Sequence, residues 1–211
     1  MLVTRRRGVA TAGRIVETEA YLGPDDAASH AAFRPGSHPL FYGEGGFAYV
    51  YLIYGLHACL NAIAERAGRP GCVLIRAVEP LAGVRAMARR RGVAPEARTL
   101  ASGPGNVTRA FGITVAHNGA DLTHGRLTIE PPDVPRSFRV ARGPRIGITR
   151  AVSLPLRYWI EGHPALSARP GAPQRPRLSA SGSNSSGARR VLTVTERTAT
   201  RARSLPSANT S

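Results

Sequence analysis

Lysine is absent from this chain, and all 29 of its basic residues are arginine. Codon bias explains such a preference, while a functional interpretation is that arginine contacts phosphate groups in bidentate fashion. The absence excludes any mechanism in which a lysine amine is the nucleophile. Acidic residues are also scarce, with only 13 aspartates and glutamates in 211 residues.

Cysteine is rare, and Cys59 and Cys72 do not form a CxxC pair. Two such residues predict buried thiols rather than a disulfide framework or a zinc site. The histidines show no spacing that indicates a metal site, so we expect neither a metal nor another cofactor.

Long apolar runs are missing as well. No segment approaches the roughly 18 consecutive apolar residues that a membrane helix needs. The N-terminal stretch MLVTRRRGVATAG also lacks the apolar region of a signal peptide. We therefore expect a reducing, cytoplasmic location and no membrane partner.

What the chain has in excess is positive charge, with a net charge of +16 and a pI of about 11.5. Such an excess favours a polyanionic partner, most often nucleic acid. Residues 169–211 hold eight of the arginines and one acid, and they are rich in serine, proline, threonine and alanine. This composition predicts a disordered tail after a domain at residues 1–168. The tail is either a loose basic arm for DNA or an incidental extension.

Hydrophobic patterning before the tail predicts mostly β-strands. They are expected at residues 2–7, 13–22, 47–54, 56–64, 71–79, 126–130, 138–148 and 156–161. Helices are expected at residues 81–91, ending at Gly92, and at 103–111, opening near Pro104. Residues 23–46 predict a loop. The fold class is therefore mixed α/β (α+β), a single domain around an antiparallel β-sheet.

Two glutamates interrupt the strand within GRIVETEAYLG. Because strand side chains alternate, Glu17 and Glu19 are expected on one face together with Ile15 and Tyr21. Either the pair faces solvent on an edge strand, or one carboxylate is held as a general base. Arg76, inside the apolar run CVLIRAVE, needs a carboxylate partner, and either glutamate would provide it.

The run FAYVYLIYG predicts one strand of a hairpin that turns near Tyr54 and Gly55. Its tyrosines fit ordinary sheet packing. Packing does not explain Tyr54 at the tip, however, and an exposed aromatic on a basic protein suggests a wedge for nucleic-acid bases.

An aromatic slot is a second candidate site. His30 alone is a weak signal, but beside Tyr21 and Tyr51 it would help to wall a slot for a flat base, with a preference for a cationic one. Asn61, on an otherwise apolar strand, either reads a base edge or bonds the backbone.

These residues lie in stretches that together resemble the alkyladenine (3-methyladenine) DNA glycosylase family. The stretches are, in chain order, GRIVETEAYLGPDDAASHA, YVYLIYGLHACLN, CVLIRAVEPLAG, SGPGN, NGADL and RGPRIGI. The resemblance implies a single-domain enzyme with a mixed α/β fold and an antiparallel sheet, from which a β-hairpin protrudes into the DNA minor groove. It also implies base-excision repair: an alkylated purine is flipped out of double-stranded DNA, and its N-glycosidic bond is hydrolysed to leave an abasic site.

The resemblance implies a role for each matching residue. Glu19 corresponds to the general base that activates a water for attack on C1′, Arg76 helps to hold them, and Ile146 offers a backbone carbonyl to the same water. Glu17 has no such role and is interpreted as structural or as an anchor for an arginine. The residues implied for DNA are Tyr21, His30 and Tyr51 around the flipped base, Asn61 as a barrier to guanine, and Tyr54 in the vacated position of the stack.

Further expectations follow from the resemblance. Since the chain has no lysine, we expect a monofunctional glycosylase. We also expect it to act as a monomer and to associate with the nucleoid. The family begins with a helix and a strand ahead of the position of Met1, so either a misassigned translation start or a truncated domain is expected. The loop GSHPLFYGEGG and Asn106, where the family has lysine, also depart from its pattern. Two alternatives remain open: a non-catalytic protein that binds damaged DNA, and a hydrolase of small N-glycosides.

Overall fold

The computed structural model describes residues 1–6, 8–33, 39–53, 55–132 and 137–167. Within them, the strands form one curled antiparallel sheet with few helices. The predicted mixed α/β fold is therefore confirmed. The predicted tail at residues 169–211 and the wedge residue Tyr54 lie outside the described residues.

The strands are β1 (Leu2–Arg6), β2 (Val9–Tyr21), β3 (Ala48–Ile53), β4 (His57–Ile63), β5 (Cys72–Ala82), β6 (Leu127–Ile129), β7 (Val140–Gly143) and β8 (Arg157–Ile160). The helices are α1 (His30–Phe33), α2 (Val84–Arg91) and α3 (Pro104–Phe111), with 3₁₀ turns at Pro39–Tyr42 and Val115–His117. The predicted hairpin is β3–β4, and β1 and β2 also pair as an antiparallel hairpin.

Strand β2 is the centre of the sheet, whose order is β3-β4-β5-β2-β1-β6. It is 13 residues long and pairs with β5 along one edge. Its other edge pairs with β1 near Val9 and with β8 near Glu17. This strand therefore runs from the β1–β2 turn to the site described below.

The two faces of the sheet bury different clusters. On β3, Ala48 and Val50 join a larger aliphatic cluster, while Tyr49 belongs to a smaller, largely aromatic one and Tyr51 packs against it. This alternation is what a strand covered on both faces produces. The larger cluster also contains residues of α2 and α3, so we call its side the helix face and the other side the cavity face.

Glycines end both longer helices. Gly92 after α2 and Gly112 after α3 have φ of 67° and 69°, a conformation that glycine adopts without strain. The predicted end of the first helix is confirmed. Its predicted start at residue 81 is wrong, because β5 continues and Ala82 still pairs with Ala12.

Two other predictions need correction. The predicted strand at 138–148 is only Val140–Gly143, because proline at 144 has no amide hydrogen to continue the pairing. The predicted loop at 23–46 contains α1 and a 3₁₀ turn. Cys59 and Cys72 are buried thiols, as predicted. No helix among the described residues is long and apolar enough to cross a membrane.

Candidate active site

The two glutamates of β2 are buried, with exposed fractions of 1% for Glu17 and 0% for Glu19. The alternative that they face solvent is therefore wrong. Two adjacent irregularities shape the backbone beside them. The register passes from Ile15↔Val78 to Glu17↔Ala77 and then to Thr18↔Ile75, which leaves Val16 and Arg76 as extra residues. Bulges of this kind change the direction of a side chain within a sheet.

The same bulges correct the predicted alternation of β2. Ile15 packs against the aliphatic cluster of the helix face, whereas Tyr21 packs against the aromatic cluster of the cavity face. The two residues therefore do not share the environment that strict alternation predicts.

Arg76 bridges both glutamates. Its Nε donates to Glu17 Oε1 at 3.1 Å, and its Nη1 lies 3.2 Å from Glu19 Oε1. Its Nη2 donates to the Ser167 hydroxyl at 3.2 Å. The prediction that Arg76 pairs with one of the glutamates is confirmed, and the structure shows it shared between them. Because burial of a charge is costly without a partner, this sharing makes all three charges tolerable.

Glu17 is an anchor for two arginines. Besides Arg76, it accepts a hydrogen bond from Arg157 Nε at 2.7 Å. The backbone amide and the hydroxyl of Ser167 also donate to it, at 2.6 and 2.8 Å. Glu17 thus ties β5, β8 and the segment after β8 to β2, which confirms its interpretation as an anchor.

Glu19 is held by one ion pair, with Arg76, and by two hydrogen bonds. In addition to Arg76, the backbone amide of Ile146 donates to Oε1 at 2.7 Å, and the Tyr21 hydroxyl donates to Oε2 at 2.9 Å. Burial and then the charge of Glu19 raise the pKa of Tyr21 far above its ordinary value. The hydroxyl therefore keeps its proton and remains a donor to the carboxylate.

A second buried ion pair, missed by the sequence analysis, holds the Ile146 segment in place. Arg145 donates to both carboxylate oxygens of Asp26, at 2.6 and 2.7 Å, and to the Ala20 carbonyl at 2.9 Å. Its guanidinium carbon lies 4.6 Å from the centre of the Tyr21 ring. Burial opposes the charge of Asp26, but the hydrogen bonds from Arg145 and two backbone amides outweigh it and lower the pKa of Asp26.

A cavity of about 210 Å³ opens beside these groups. The predicted residues that line it are Tyr21, His30, Tyr51, Asn61, Arg76 and Ile146. Glu19 is fully buried and contacts three of these lining residues. The structure therefore brings the predicted base-binding side chains together at the predicted carboxylate.

Aromatic rings form the walls of the cavity. The ring centres of His30 and Tyr51 are 4.6 Å apart. His30 is the first residue of the short helix α1. The Nδ1 atom of His30 shares a hydrogen bond of 2.7 Å with the Tyr49 hydroxyl. Burial raises the pKa of Tyr51 well above its ordinary value, so its phenol ring is uncharged. Aromatic walls of this kind suit a flat and positively polarised ligand.

Asn61 has a fixed orientation in the cavity wall. Its amide nitrogen donates to the Tyr49 carbonyl at 3.0 Å, and its oxygen accepts from the Cys72 thiol at 3.7 Å. Burial raises the pKa of Cys72, which keeps the thiol protonated as a donor. Of the two alternatives for Asn61, a backbone hydrogen bond is present, and the side chain also borders the cavity.

Residues 1–164 match the family model described as methylpurine-DNA glycosylase. The chain belongs to this family. Among curated relatives, a protein of Methanoculleus marisnigri is 42% identical over 171 residues, which is 80% of this chain and 88% of that protein. Proteins of Koribacter versatilis and Chlorobaculum tepidum are 44% and 43% identical, over 80% and 81% of this chain and 84% and 82% of their own lengths. All three bear the name "Putative 3-methyladenine DNA glycosylase".

Membership in the glycosylase family directs attention to the free end of the β3–β4 hairpin. Tyr54 itself lies outside the described residues, and its implied role stays a prediction. Its neighbours Leu52 and Leu56 are 49% and 77% exposed, so this end presents apolar side chains to solvent.

The implied role of the Ile146 carbonyl also stays a prediction. What the structure adds is the hydrogen bond from the amide of the same residue to Glu19. Elsewhere in the described ranges, no three His, Cys, Asp or Glu side chains gather as potential metal ligands.

Proposed function

We propose that this member of the glycosylase family is a monofunctional enzyme that removes alkylated purines, of the 3-methyladenine type, from double-stranded DNA. The observation that carries the proposal is the position of Glu19, a fully buried carboxylate whose ion-pair partner Arg76 and hydrogen-bonding partners Tyr21 and Ile146 line an aromatic cavity. The names of the curated relatives support the same substrate class.

The cavity supports base flipping. A base stacked inside a duplex is out of reach, so it must swing out, at a cost of a few kcal/mol that is smallest for damaged bases. We propose that Tyr21, His30 and Tyr51 enclose the flipped base, and that an N-alkylated purine is preferred because it is positively charged. Asn61 is proposed to disfavour guanine, and Tyr54 to fill the vacated place in the stack.

In the proposed reaction, the oxygen of a water forms a bond to C1′ of the flipped nucleotide. The N-glycosidic bond breaks, and its electron pair leaves with the base. Glu19 accepts the proton of the water, while Arg76 and the Ile146 amide keep the carboxylate in position. The Ile146 carbonyl is proposed to orient the same water. A cationic purine leaves as a neutral base, which makes acid catalysis dispensable, and an abasic site remains.

The experiment that tests this proposal measures release of free alkylated purines from methylated duplex DNA. Replacing Glu19→Gln keeps the size of the side chain but removes its basicity, so release should fall by about 10² to 10⁴, the usual contribution of a general base. Glu79→Gln is the matched control, since Glu79 lies on the neighbouring strand β5 in a partly exposed pair with Arg14. Equal release by the Glu19 variant and wild type would contradict the proposed role.

The monofunctional character has its own test. Glycosylases that also cleave the strand form a Schiff base with an amine, usually of lysine or of the chain terminus, and this sequence contains no lysine. We therefore expect no covalent complex with damaged DNA after borohydride treatment, and cleavage of the product strand only after added alkali. A trapped complex would overturn this part of the proposal. A folded protein that binds damaged duplex and releases no base would instead identify the non-catalytic alternative.

A further inference from the structure

The side chains Glu19, Arg76, Glu17 and Arg157 form one unbroken chain of alternating charges. Adjacent members are 3.2, 3.1 and 2.7 Å apart. The side chains of both glutamates are 0% exposed, that of Arg76 is 6% exposed and that of Arg157 is 18% exposed. The formal charges sum to zero, so neutralising any single member leaves a net charge within the chain, whereas neutralising one acid and one arginine does not.

We propose that Glu17 and Arg157 are positioning residues that set how strongly Arg76 is drawn to Glu19, and thereby how readily Glu19 accepts a proton. The inference rests on the proposed role of Glu19 as general base. Neither Glu17 nor Arg157 lines the cavity, so each would act on the reaction through Arg76.

The geometry makes Arg76 a shared cation. Its Nε is directed to Glu17 and its Nη1 to Glu19. Buried charges at such distances interact far more strongly than charges in water. If Glu17 were neutral, Arg76 and Arg157 would act on Glu19 alone, and its carboxylate form would be favoured. The base would then hold a proton less readily.

Arg157 has the opposite influence. Its guanidinium neutralises part of the charge of Glu17 and also stacks 4.7 Å from the Trp159 ring centre. Without Arg157, Glu17 would attract Arg76 more strongly and leave Glu19 less stabilised as a carboxylate. The two substitutions should therefore change the protonation of Glu19 in opposite directions.

The other charged and titratable groups near Glu19 are not substituted in these variants. Tyr21 on β2 donates to it, and Tyr51 on β3 and Arg145 after β7 lie within electrostatic range of it. Burial raises the pKa of both tyrosines, and Asp26 neutralises Arg145. A difference between variants can thus be assigned to the chain of alternating charges.

The test is the rate of base release as a function of pH, in single turnovers on a duplex with one alkylated purine. With Glu17→Gln, the half-maximal point on the acid side should move down by about one pH unit, a tenfold change in proton concentration. With Arg157→Gln, it should move up by a similar amount. The double variant Glu17→Gln/Arg157→Gln restores the charge balance and should return to within about half a unit of wild type.

A purely structural role would give a different result. Both single variants would then lose activity without opposite displacements, and the double variant would be worse than either; this outcome overturns the proposal. The variants Glu79→Gln and Arg14→Gln separate a partly exposed pair and should leave the profile unchanged. If Glu17→Gln fails to fold, the test rests on Arg157→Gln, which alters the most exposed member of the chain of charges. An upward displacement of its half-maximal pH then supports the proposal, and no displacement overturns it.

A second readout separates this inference from the proposed function. Titration of ¹³C-labelled glutamate carboxyls by NMR, with Glu19 assigned from Glu19→Gln, reports the protonation of Glu19 without activity. If wild type released no base, the proposed function would fail, yet opposite displacements in the titration would still support the coupling. If release depended on Glu19 but all variants titrated alike, the coupling would be wrong and the function would stand.

Discussion

The two faces of the sheet are stabilised by different means. The helix face is dominated by aliphatic residues such as Leu60 and Met87, where burial of apolar area gives a non-directional stabilisation. The cavity face instead buries carboxylates and guanidinium groups, each of which depends on a specific partner. The comparison teaches that stability and chemistry are largely separated in this fold, with Arg145 and Asp26 as the place where they meet.

The largest loss of stability is expected from Asp26→Asn, which removes the counter-charge of Arg145. The substitution leaves Arg145 buried without a full counter-charge, which typically costs about 3 to 5 kcal/mol. Base release by the folded protein should fall as well, because Arg145 adjoins Tyr21 and the segment that carries Ile146. Urea unfolding and single-turnover assays measure the two effects. A loss of stability with unchanged release would show that Arg145 does not position the site.

A core substitution on the helix face sharpens the comparison. Met87→Ala on α2 removes a side chain that is fully buried and should lower the free energy of unfolding by about 2 to 5 kcal/mol. Because α2 contributes no residue to the cavity wall, the rate of base release per folded molecule should not change. Reduced release at temperatures where the variant is folded would contradict the separation of the faces.

Tyr51→Leu on the cavity face should have the opposite pattern, with a change in activity and little change in stability. Loss of one aromatic wall should cost about 1 to 3 kcal/mol, the usual value of stacking a base on an aromatic ring. This lowers kcat/KM by roughly fivefold to 150-fold. Tyr51→Phe keeps the ring and should remain near wild type. Thermal unfolding should differ little between the two variants. Equal losses of activity would assign the effect to the hydroxyl rather than to stacking.

Acid should affect the ion pair of the cavity face in a defined direction. The pKa of Asp26 is lowered in the folded protein from an ordinary value of 3.8. Its stabilisation is therefore complete above that value and is lost as the pH falls below it. Wild type should lose stability more steeply than Asp26→Asn as the pH falls below about 4, as measured by urea unfolding at each pH. Parallel curves would contradict the assignment.

The sequence predicts most of the sheet for clear reasons. Runs such as FAYVYLIYG combine aromatic and β-branched residues with period-two alternation. The pairing of Arg76 with a β2 carboxylate was also predictable, since an arginine inside CVLIRAVE needs a counter-charge. The bulges were not predictable, because they depend on how two distant strands align. They also explain why Ile15 does not accompany Tyr21.

The ion pair of Arg145 with Asp26 could not be predicted from the sequence, because nothing in the sequence identifies the partner of Arg145. Arg145 lies among apolar residues in PRIGI, the same signal that singled out Arg76. Its partner is 119 residues away, and the adjacent Asp25 has the same charge. Only the turn after β2, in which Asp26 accepts hydrogen bonds from the amides of Leu22 and Ala28, distinguishes the two aspartates.

Strand β2 carries Glu17, Glu19 and Tyr21 while it is hydrogen-bonded to neighbours on both edges. Local unfolding that loosens this segment must separate β5 and β8 from it, so amide exchange near Glu19 should require nearly the full free energy of global unfolding. The site is thereby preorganised before any ligand arrives. Under the proposed function, the conformational change in an encounter with a duplex would then belong to the DNA, and induced fit of the protein would be confined to segments outside this strand.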